Sequence, residues 1–451
     1  MYKKIITIAS CVALLGVAAT ASASITAAEA DRLGKDLTPL GAIKAGNADG
    51  SIPEWAGGLT KPLNGWPNDD NYRPNPHADD KALFTITAQN MDQYAAKLPD
   101  AAKAMFKSYP DIFKMKVYPS RRTAAFPQWY YDAIKKNATT ATLINDGNGV
   151  DVWGSIPFPI PQSGIEVIWN HMLRFQGVSR VATMNESIVY SNGNRTNNMS
   201  ENQVHYPFYD PNNVDQHRAE GNIFKFNMTT IEPPRDSGSG LMAIDNIDPV
   251  KSPRKAWQYD PGERRVRRAP NLAFDTPDLA LNVIDDFEMF SGSPERYDWK
   301  LVGKKEMYIP YNNNEANSPR RELDAAVAAG FLDAEMLRYE LHRVWIVEAT
   351  LKEGKRHLYA KRVFYIDEDT WNIMASDKYD GSGNLWRVAF AFPLVAGEIP
   401  LTGSGSYAHV DLKKNGYYYA VHTIGTKGYN FEQEPPKANF YTPSALRRRG
   451  R

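Results

Sequence analysis

The residues of this chain that could do chemistry form no recognised catalytic motif. The Gly/Ser stretches GSGS (residues 403–406) and SGSG (residues 237–240) lack the G-x-S-x-G spacing that presents a nucleophilic serine, and they are typical of turns. The sequence contains neither G-x-x-x-x-G-K-[ST] nor G-x-G-x-x-G, the spacings that bind phosphates. The sequence therefore predicts a protein that is not an enzyme and uses no cofactor.

The histidines and acids do not predict a metal site either. The histidines are scattered and include no H-E-x-x-H pair. His342 and His357, across a predicted hairpin, are interpreted as an ordinary polar pair. Asp285, Asp286 and Glu288 lie on one predicted helix and are interpreted as its solvated face. We therefore expect no bound metal.

The N-terminus predicts export. Lys3 and Lys4 precede an apolar run (residues 5–18), and Ala-Ser-Ala at residues 21–23 is a small-residue cleavage site, as in a Sec signal peptide. The one cysteine, Cys11, lies inside this segment, so the mature chain would contain none. The alternative, a lipoprotein acylated at Cys11, would leave a very short apolar region before the cut. With 53 basic and 52 acidic residues, the charge gives no reason to expect a nucleic-acid partner.

Four segments are predicted along the chain: a signal peptide (1–23), a Pro/Gly/Trp-rich wrapping arm with helices (24–154), an antiparallel β domain (155–430) and a solvated tail (431–451). The β domain begins with a helix over 163–177, and helical inserts are predicted at 277–290 and 320–337. Short turns between period-two segments favour a meander of neighbouring strands. The fold class is mainly β with helices (α+β), a large curved antiparallel sheet or unclosed β-barrel with helices over its mouth.

Several strands carry large apolar residues that could line a ligand cavity. A sheet that is apolar on both faces must be covered on both, or must curl around a core or cavity. An ordinary packed core is the alternative, and the sequence leaves both open. The candidate cavity residues are Trp345, Val347, Phe364, Ile366, Trp386, Val388, Phe390 and Phe392.

Two groups of arginines are candidates for a polar rim or for contact with a ligand headgroup. Neighbouring arginines on a strand point to opposite faces, so one of each pair would face inward unless the strand lies at an edge. Pairing with protein acids on a solvated rim is the alternative. The candidates are Arg121, Arg122, Arg264, Arg265, Arg267 and Arg268.

Five blocks carry a family resemblance. LGAIKAGNADGSIPEW (residues 40–55) resembles the opening of an exported Gram-negative family of unknown function described as outer-membrane lipoprotein-sorting-like. YPSRRTA (118–124) and WNHMLRFQG (169–177) resemble two further blocks of that family. PGERRVRR (261–268) and KRVFYID (361–367) resemble strands that it shares with the LolA/LolB-like fold of lipoprotein carriers.

The resemblance implies an unclosed antiparallel β-barrel whose mouth is plugged by helices. It also implies a periplasmic carrier of a lipid or other hydrophobic molecule, acting with an RND-type inner-membrane exporter and an outer-membrane barrel. A structural adaptor that bridges the two membranes, with its β core simply packed, is the alternative function. Because the chain is much longer than lipoprotein carriers, the resemblance does not extend to lipoproteins as cargo.

Overall fold

The computed structural model describes residues 25–450, apart from residues 64, 65, 68, 213, 271, 279 and 280. The predicted signal peptide therefore lies outside the described residues. The helices are α1 (Ala27–Ala30), α2 (Asp100–Ser108), α3 (Gln128–Asn137), α4 (Gly164–Met172), α5 (Val214–Glu220), α6 (Leu323–Ala326) and α7 (Pro443–Arg449). Short 3-10 helical segments lie at Met91–Lys97, Ile284–Met289, Asn314–Asn317, Ala334–Met336 and Ala438–Phe440.

The strands are β1 (Phe84–Ile86), β2 (Met115–Val117), β3 (Thr142–Ile144), β4 (Gly149–Asp151), β5 (Ser179–Val189), β6 (Arg195–His205), β7 (Asn222–Glu232), β8 (Gly240–Asn246), β9 (Lys255–Asp260), β10 (Arg265–Arg268), β11 (Pro277–Asp278), β12 (Asn282–Val283), β13 (Tyr297–Pro310), β14 (Tyr339–Leu351), β15 (Lys361–Asp367), β16 (Ile373–Tyr379), β17 (Leu385–Ala396), β18 (Leu401–Asp411) and β19 (Gly416–His422).

Most strands belong to one large sheet made of two meanders. Strands β13 to β19 follow one another, β19 then pairs with β5, and β5 to β10 follow in order. These pairings are antiparallel; a parallel bridge joins β2 to the start of β14. Within the described residues β13 and β10 lie at opposite ends and do not pair, so the sheet stays open. The predicted fold class, an unclosed antiparallel sheet, is confirmed.

Both faces of the C-terminal meander are covered, and strand β17 shows how. Its side chains alternate between two cores, Val388 and Phe390 on one face and Ala389 and Ala391 on the other. We call the core that contains Ala389 the cavity-side core, because it continues into the cavity described below, and the other the opposite core. Side chains of residues 25–154 enter both cores.

Two local predictions are wrong. The insert at 277–290 is not a regular helix: it contains two short strands and the 3-10 turn Ile284–Met289, which is kinked at Phe287 and Glu288. The C-terminal tail is not a frayed end, because α7 packs Leu446 against Met242 and Tyr259 of the sheet. In both places a contact distant in sequence decides the conformation.

Candidate functional site

An apolar cavity lies between strands β5 to β9 on one side and residues 272–278 and 284–295 on the other. It consists of two adjoining chambers of about 230 and 280 Å³, on the order of 500 Å³ together, within the range of about 300 to 1,000 Å³ usual for small-molecule sites. Phe224, Phe226, Arg254 and Phe287 line both chambers. Further apolar lining comes from Met172, Val204, Tyr206, Ile223 and Phe290 in the first chamber and from Met228, Leu241, Ala243, Ala256 and Ile284 in the second.

The wall of the cavity follows from the period-two pattern of β7. Phe224, Phe226 and Met228 line the cavity, whereas Lys225 and Asn227 between them do not. The register places Phe226 beside Val204 of β6 and Ala243 of β8. These three side chains of β7 are only half-buried although they face inward, because no described residue fills the space in front of them. Ile223, beside the register shift at Phe224, and Thr230 of the same strand also line the cavity.

The first chamber has a charged end built on Glu288. The Arg180 Nη2 donates to Glu288 Oε1 at 2.8 Å, the Gln176 Nε2 donates to Glu288 Oε2 at 2.9 Å, and Arg174 pairs with the same carboxylate. Two guanidinium groups face one carboxylate, so this end of the chamber carries one net positive charge. Arg180 is buried, and its Nε has no hydrogen-bond partner among the described residues. Such an end fits the acidic headgroup of an amphipathic molecule.

Glu288 reaches the arginines because the backbone there is bent. Glu288 has φ 54° and Met289 has φ 72°. This is the left-handed backbone conformation, which residues other than glycine rarely adopt. The His171 Nε2 lies 3.0 Å from the Glu288 carbonyl oxygen and helps to hold the bend. A strained conformation persists only where the surroundings impose it, which is typical of functional sites.

The surroundings that impose it are a buried ion cluster. The Arg362 Nη1 lies 2.9 Å from Asp285 Oδ1, and both the Arg362 Nη2 (2.7 Å) and the Lys378 Nζ (2.8 Å) contact Asp286 Oδ1. His357 Nε2 lies 3.0 Å from Asp285 Oδ2. Burial lowers the pKa of Lys378 to about 8, although Asp286 acts in the opposite direction.

This ion cluster corrects two predictions. Asp285 and Asp286 are 3% and 0% exposed, so they are not a solvated face. His342 and His357 do not form a facing pair: His342 lies opposite Met307 of β13, whereas His357 belongs to the cluster. The cluster instead ties Ile284–Met289 to strands β15 and β16, and so fixes Phe287 and Glu288 in the cavity.

The second chamber contains a carboxyl group that titrates near neutral pH. Burial raises the pKa of Glu186 to about 7, and the nearby Asp278 raises it further, against the hydrogen bond from the Tyr418 hydroxyl, 2.5 Å from Glu186 Oε1. Arg254, at the boundary of the chambers, pairs with Asp245 through two bonds of 2.6 Å. Each chamber therefore combines an apolar wall with a few charged groups.

None of the eight predicted cavity residues lines this cavity. Trp345, Val347, Phe364 and Ile366 lie in or against the cavity-side core, where Phe364 packs behind Phe290 with ring centroids 5.8 Å apart. Val388, Phe390 and Phe392 lie in the opposite core, on the other face of the sheet. Trp386 lies beside Arg387 and donates to Asp411. The cavity wall instead contains the alternating pattern Phe-x-Phe-x-Met at residues 224–228. This spacing is visible in the sequence and could have predicted the wall.

The six candidate rim arginines also lie away from the cavity. Arg121 pairs with Asp80, and buried Arg122 pairs with Asp369 at 2.6 Å. Arg267 of β10 pairs with Glu263 in the preceding turn. Strand β10 forms an edge of the sheet, the case in which neighbouring arginines need not face inward. Arg264 and Arg265 line a surface groove together with Arg447 and Arg448 of α7. The arginines at the cavity are Arg174, Arg180 and Arg254; Arg174 lies within the family-like block 169–177.

Two clusters of described residues could hold a metal ion, although the sequence predicts none. In the first, Asp369 already pairs with Arg122, and His342 Nε2 lies 3.0 Å from Glu340 Oε2; its third member is Asp367. Two of its three members therefore already have ionic partners in the protein. The second cluster is His205, Asp210 and His217.

Comparisons with known proteins identify the family. Residues 85–447 match the family model DUF1329, protein of unknown function, and the chain belongs to that family. The chain is 42% identical to the uncharacterized protein PA3922 of Pseudomonas aeruginosa over 97% of each chain. This confirms the prediction of a family of unknown function.

Among solved structures, the chain is similar to a Vibrio parahaemolyticus domain described as an outer membrane lipoprotein-sorting protein (14% identity, TM-score 0.44, 63% of this chain and 98% of that one). It is also similar to a LolA superfamily protein from Nitrosomonas europaea (11% identity, TM-score 0.35, 62% and 98%). Across the described part of the chain, no helix has the length and apolar character needed to cross a membrane.

Proposed function

We propose that this DUF1329 protein is a non-enzymatic periplasmic carrier of an amphipathic, lipid-like molecule with an acidic headgroup. The main support for the proposal is the apolar cavity of two chambers, with buried Arg174 and Arg180 at one end. The predicted signal peptide supports the compartment. The apolar chain would occupy the space in front of Phe226 and Phe287, and the headgroup would contact Arg180.

The energetics of such a carrier depend mainly on the apolar wall. Burying one CH2 group is worth about 0.8 kcal/mol, so shielding a chain of about 16 carbons is worth on the order of 10 kcal/mol. The arginines then add selectivity, because a buried positive site discriminates against a neutral headgroup that leaves it unpaired. A carrier needs no bond-breaking chemistry, in agreement with the lack of catalytic motifs in the sequence.

The partners belong to the same proposal. The family resemblance suggests that the carrier acts with an RND-type exporter and an outer-membrane barrel. The surface groove formed by Arg264, Arg265, Arg447 and Arg448 would suit an acidic partner surface. A purely structural adaptor would use the same groove, but it would have no need of an apolar cavity with a charged end.

Displacement of a fluorescent fatty-acid probe from the purified mature protein tests the proposal. Hexadecanoic acid and hexadecanol share the chain and differ in the headgroup, so they separate the two parts of the site. We expect both to displace the probe and the acid to do so at lower concentration. Lack of probe binding, with the protein shown to be folded by circular dichroism, would rule the carrier out.

A further inference from the structure

Two histidines and an aspartate converge at the outer end of β6. His205 ends β6, Asp210 follows in the next loop, and His217 lies on α5. Their exposures are 5%, 5% and 8%. The His205 Nε2 lies 3.0 Å from Asp210 Oδ2, and the His217 Nε2 lies 3.7 Å from the same oxygen.

These distances suit a shared metal ion. Zinc binds histidine nitrogen and carboxylate oxygen at about 2.0 to 2.2 Å, so ligand atoms at neighbouring corners of a tetrahedral site lie about 3.3 to 3.6 Å apart. The separations of 3.0 Å and 3.7 Å lie just below and just above this range. A contact of 3.7 Å is too long for a hydrogen bond, so Asp210 alone does not satisfy His217.

Protein groups leave the cluster only partly satisfied. The Asn212 N–H donates to Asp210 Oδ1 at 2.8 Å, which orients the carboxylate and leaves Oδ2 to face the histidines. The His217 Nδ1 is buried and has no hydrogen-bond partner in the part of the chain that the structure describes. A buried imidazole without partners is costly, and a ligand that pairs with one of its nitrogens would offset part of that cost.

We propose that His205, Asp210 and His217 bind one divalent first-row transition metal ion, with Zn²⁺ the best match to two imidazoles and one carboxylate. Water would complete the coordination. The ion would tie α5 to the end of β6, next to Val204 and Tyr206 of the cavity wall. The proposal does not depend on the carrier function, because the metal-binding side chains do not line the cavity.

Zinc titration of tag-free mature protein against a chromophoric chelator tests the site. We expect the wild type to bind Zn²⁺ and its Tm to rise when the ion is bound. At the same site, H217A should bind Zn²⁺ at least about 100-fold more weakly than the wild type. H77A is the matched control, because His77 contacts Thr123 and belongs to neither cluster, and it should bind as the wild type does.

Asp210→Asn provides a second variant if H217A does not fold, because an amide oxygen can still accept from the Asn212 N–H while the charge is lost. It should also weaken zinc binding. If the wild type takes up no zinc, or if the folded variants bind as tightly as the wild type, the proposal is wrong. If the wild type binds two zinc ions per protein and both variants still bind one, we assign the remaining ion to the His342 cluster. The loss of the other ion in the variants would then support the proposed site.

Discussion

Arg180 is the residue on which headgroup recognition depends most directly. Its guanidinium pairs with Glu288 and lies 5.8 Å and 5.9 Å from the ring centroids of Tyr206 and Tyr429. Because Arg180 shares the Glu288 carboxylate with Arg174, the protein compensates its positive charge only in part, and the charge can attract an acidic ligand. The selectivity for an acidic headgroup should therefore reside here and not at the exposed arginines of β10.

Replacing Arg180 by Ala should reduce the preference for hexadecanoic acid over hexadecanol by about 10- to 100-fold, because one charge-assisted hydrogen bond is worth about 1.5 to 3 kcal/mol. Affinity for the alcohol should change little. The measurement is competition with a fluorescent fatty-acid probe. Arg267→Ala is the matched control, since that arginine is exposed on the edge strand; an equal loss of selectivity in both variants would contradict the assignment.

Glu186 gives a pH-dependent prediction. Its pKa is raised in the folded protein to about 7, above that of an unfolded glutamate, so the native state holds a proton that the unfolded state has already released. This group therefore lowers the free energy of unfolding as pH rises from about 4.5 to 7, and its penalty is complete above pH 7. The groups that act on it are Asp278 and Tyr418.

Glu186→Gln removes that titration. We expect the variant to have a higher Tm than the wild type at pH 8 and to lose this advantage at pH 5, where the wild-type carboxyl is protonated. Melting curves at the two pH values, in the same buffer ions, measure the difference. A Tm difference that is the same at both pH values would show that Glu186 has no raised pKa.

At the scale of elements, the turn Ile284–Met289 joins the ion cluster to the cavity. The sequence alone indicated a helix with solvated acids, because three acids close together usually face water. Asp285 and Asp286 pair with Arg362 and Lys378, which lie more than 70 residues away in the chain. The local sequence pattern could not reveal this pairing. The start of the helix predicted over 163–177 agrees with α4, which begins at Gly164, but α4 ends at Met172, five residues before the predicted end. The antiparallel meander, which also depends on local spacing, was predicted.

Asp286→Asn tests this anchor. Removing one charge leaves Arg362 and Lys378 buried with fewer partners, and breaking a buried pair typically costs about 3 to 5 kcal/mol. We expect a loss of that order in the free energy of unfolding from urea denaturation, with weaker probe binding because Glu288 is displaced. Glu263→Gln, which breaks an exposed pair, should leave stability nearly unchanged. Equal stability of the two variants would contradict the anchor.

Strands β7 and β17 offer a matched pair of substitutions. Phe390 is packed in the opposite core against Phe113, with centroids 5.9 Å apart, whereas Phe226 faces the cavity. Phe226→Trp should reduce probe binding with little change in Tm, because it fills empty space. Phe390→Trp should overpack the core, cost about 1 to 3 kcal/mol and leave binding intact.

Melting and binding measured together on both variants separate the two faces of the sheet. Reversal of the two outcomes would place the ligand in the opposite core, where Val388, Phe390 and Phe392 were first predicted to line it.

At the scale of the whole molecule, the sequence predicted the architecture better than the site. Short turns and period-two strands are local signals, and they sufficed for an open antiparallel sheet. The sequence could not show that β19 pairs with β5, which brings the N-terminal meander beside the C-terminal one. The cavity forms in the N-terminal meander, on strands less apolar than β14 and β17, so the apolar content of a strand did not identify the cavity wall.

Native mass spectrometry of the protein purified from the periplasm would detect a carried ligand without any added probe. We expect a bound molecule of lipid-like mass, removable by organic solvent, present in the wild type and Phe390→Trp and depleted in Phe226→Trp. Lipid extraction followed by mass analysis would identify its headgroup, which should be acidic. A wild-type protein that carries no such molecule, and that binds none when fatty acid is supplied, would contradict the carrier function.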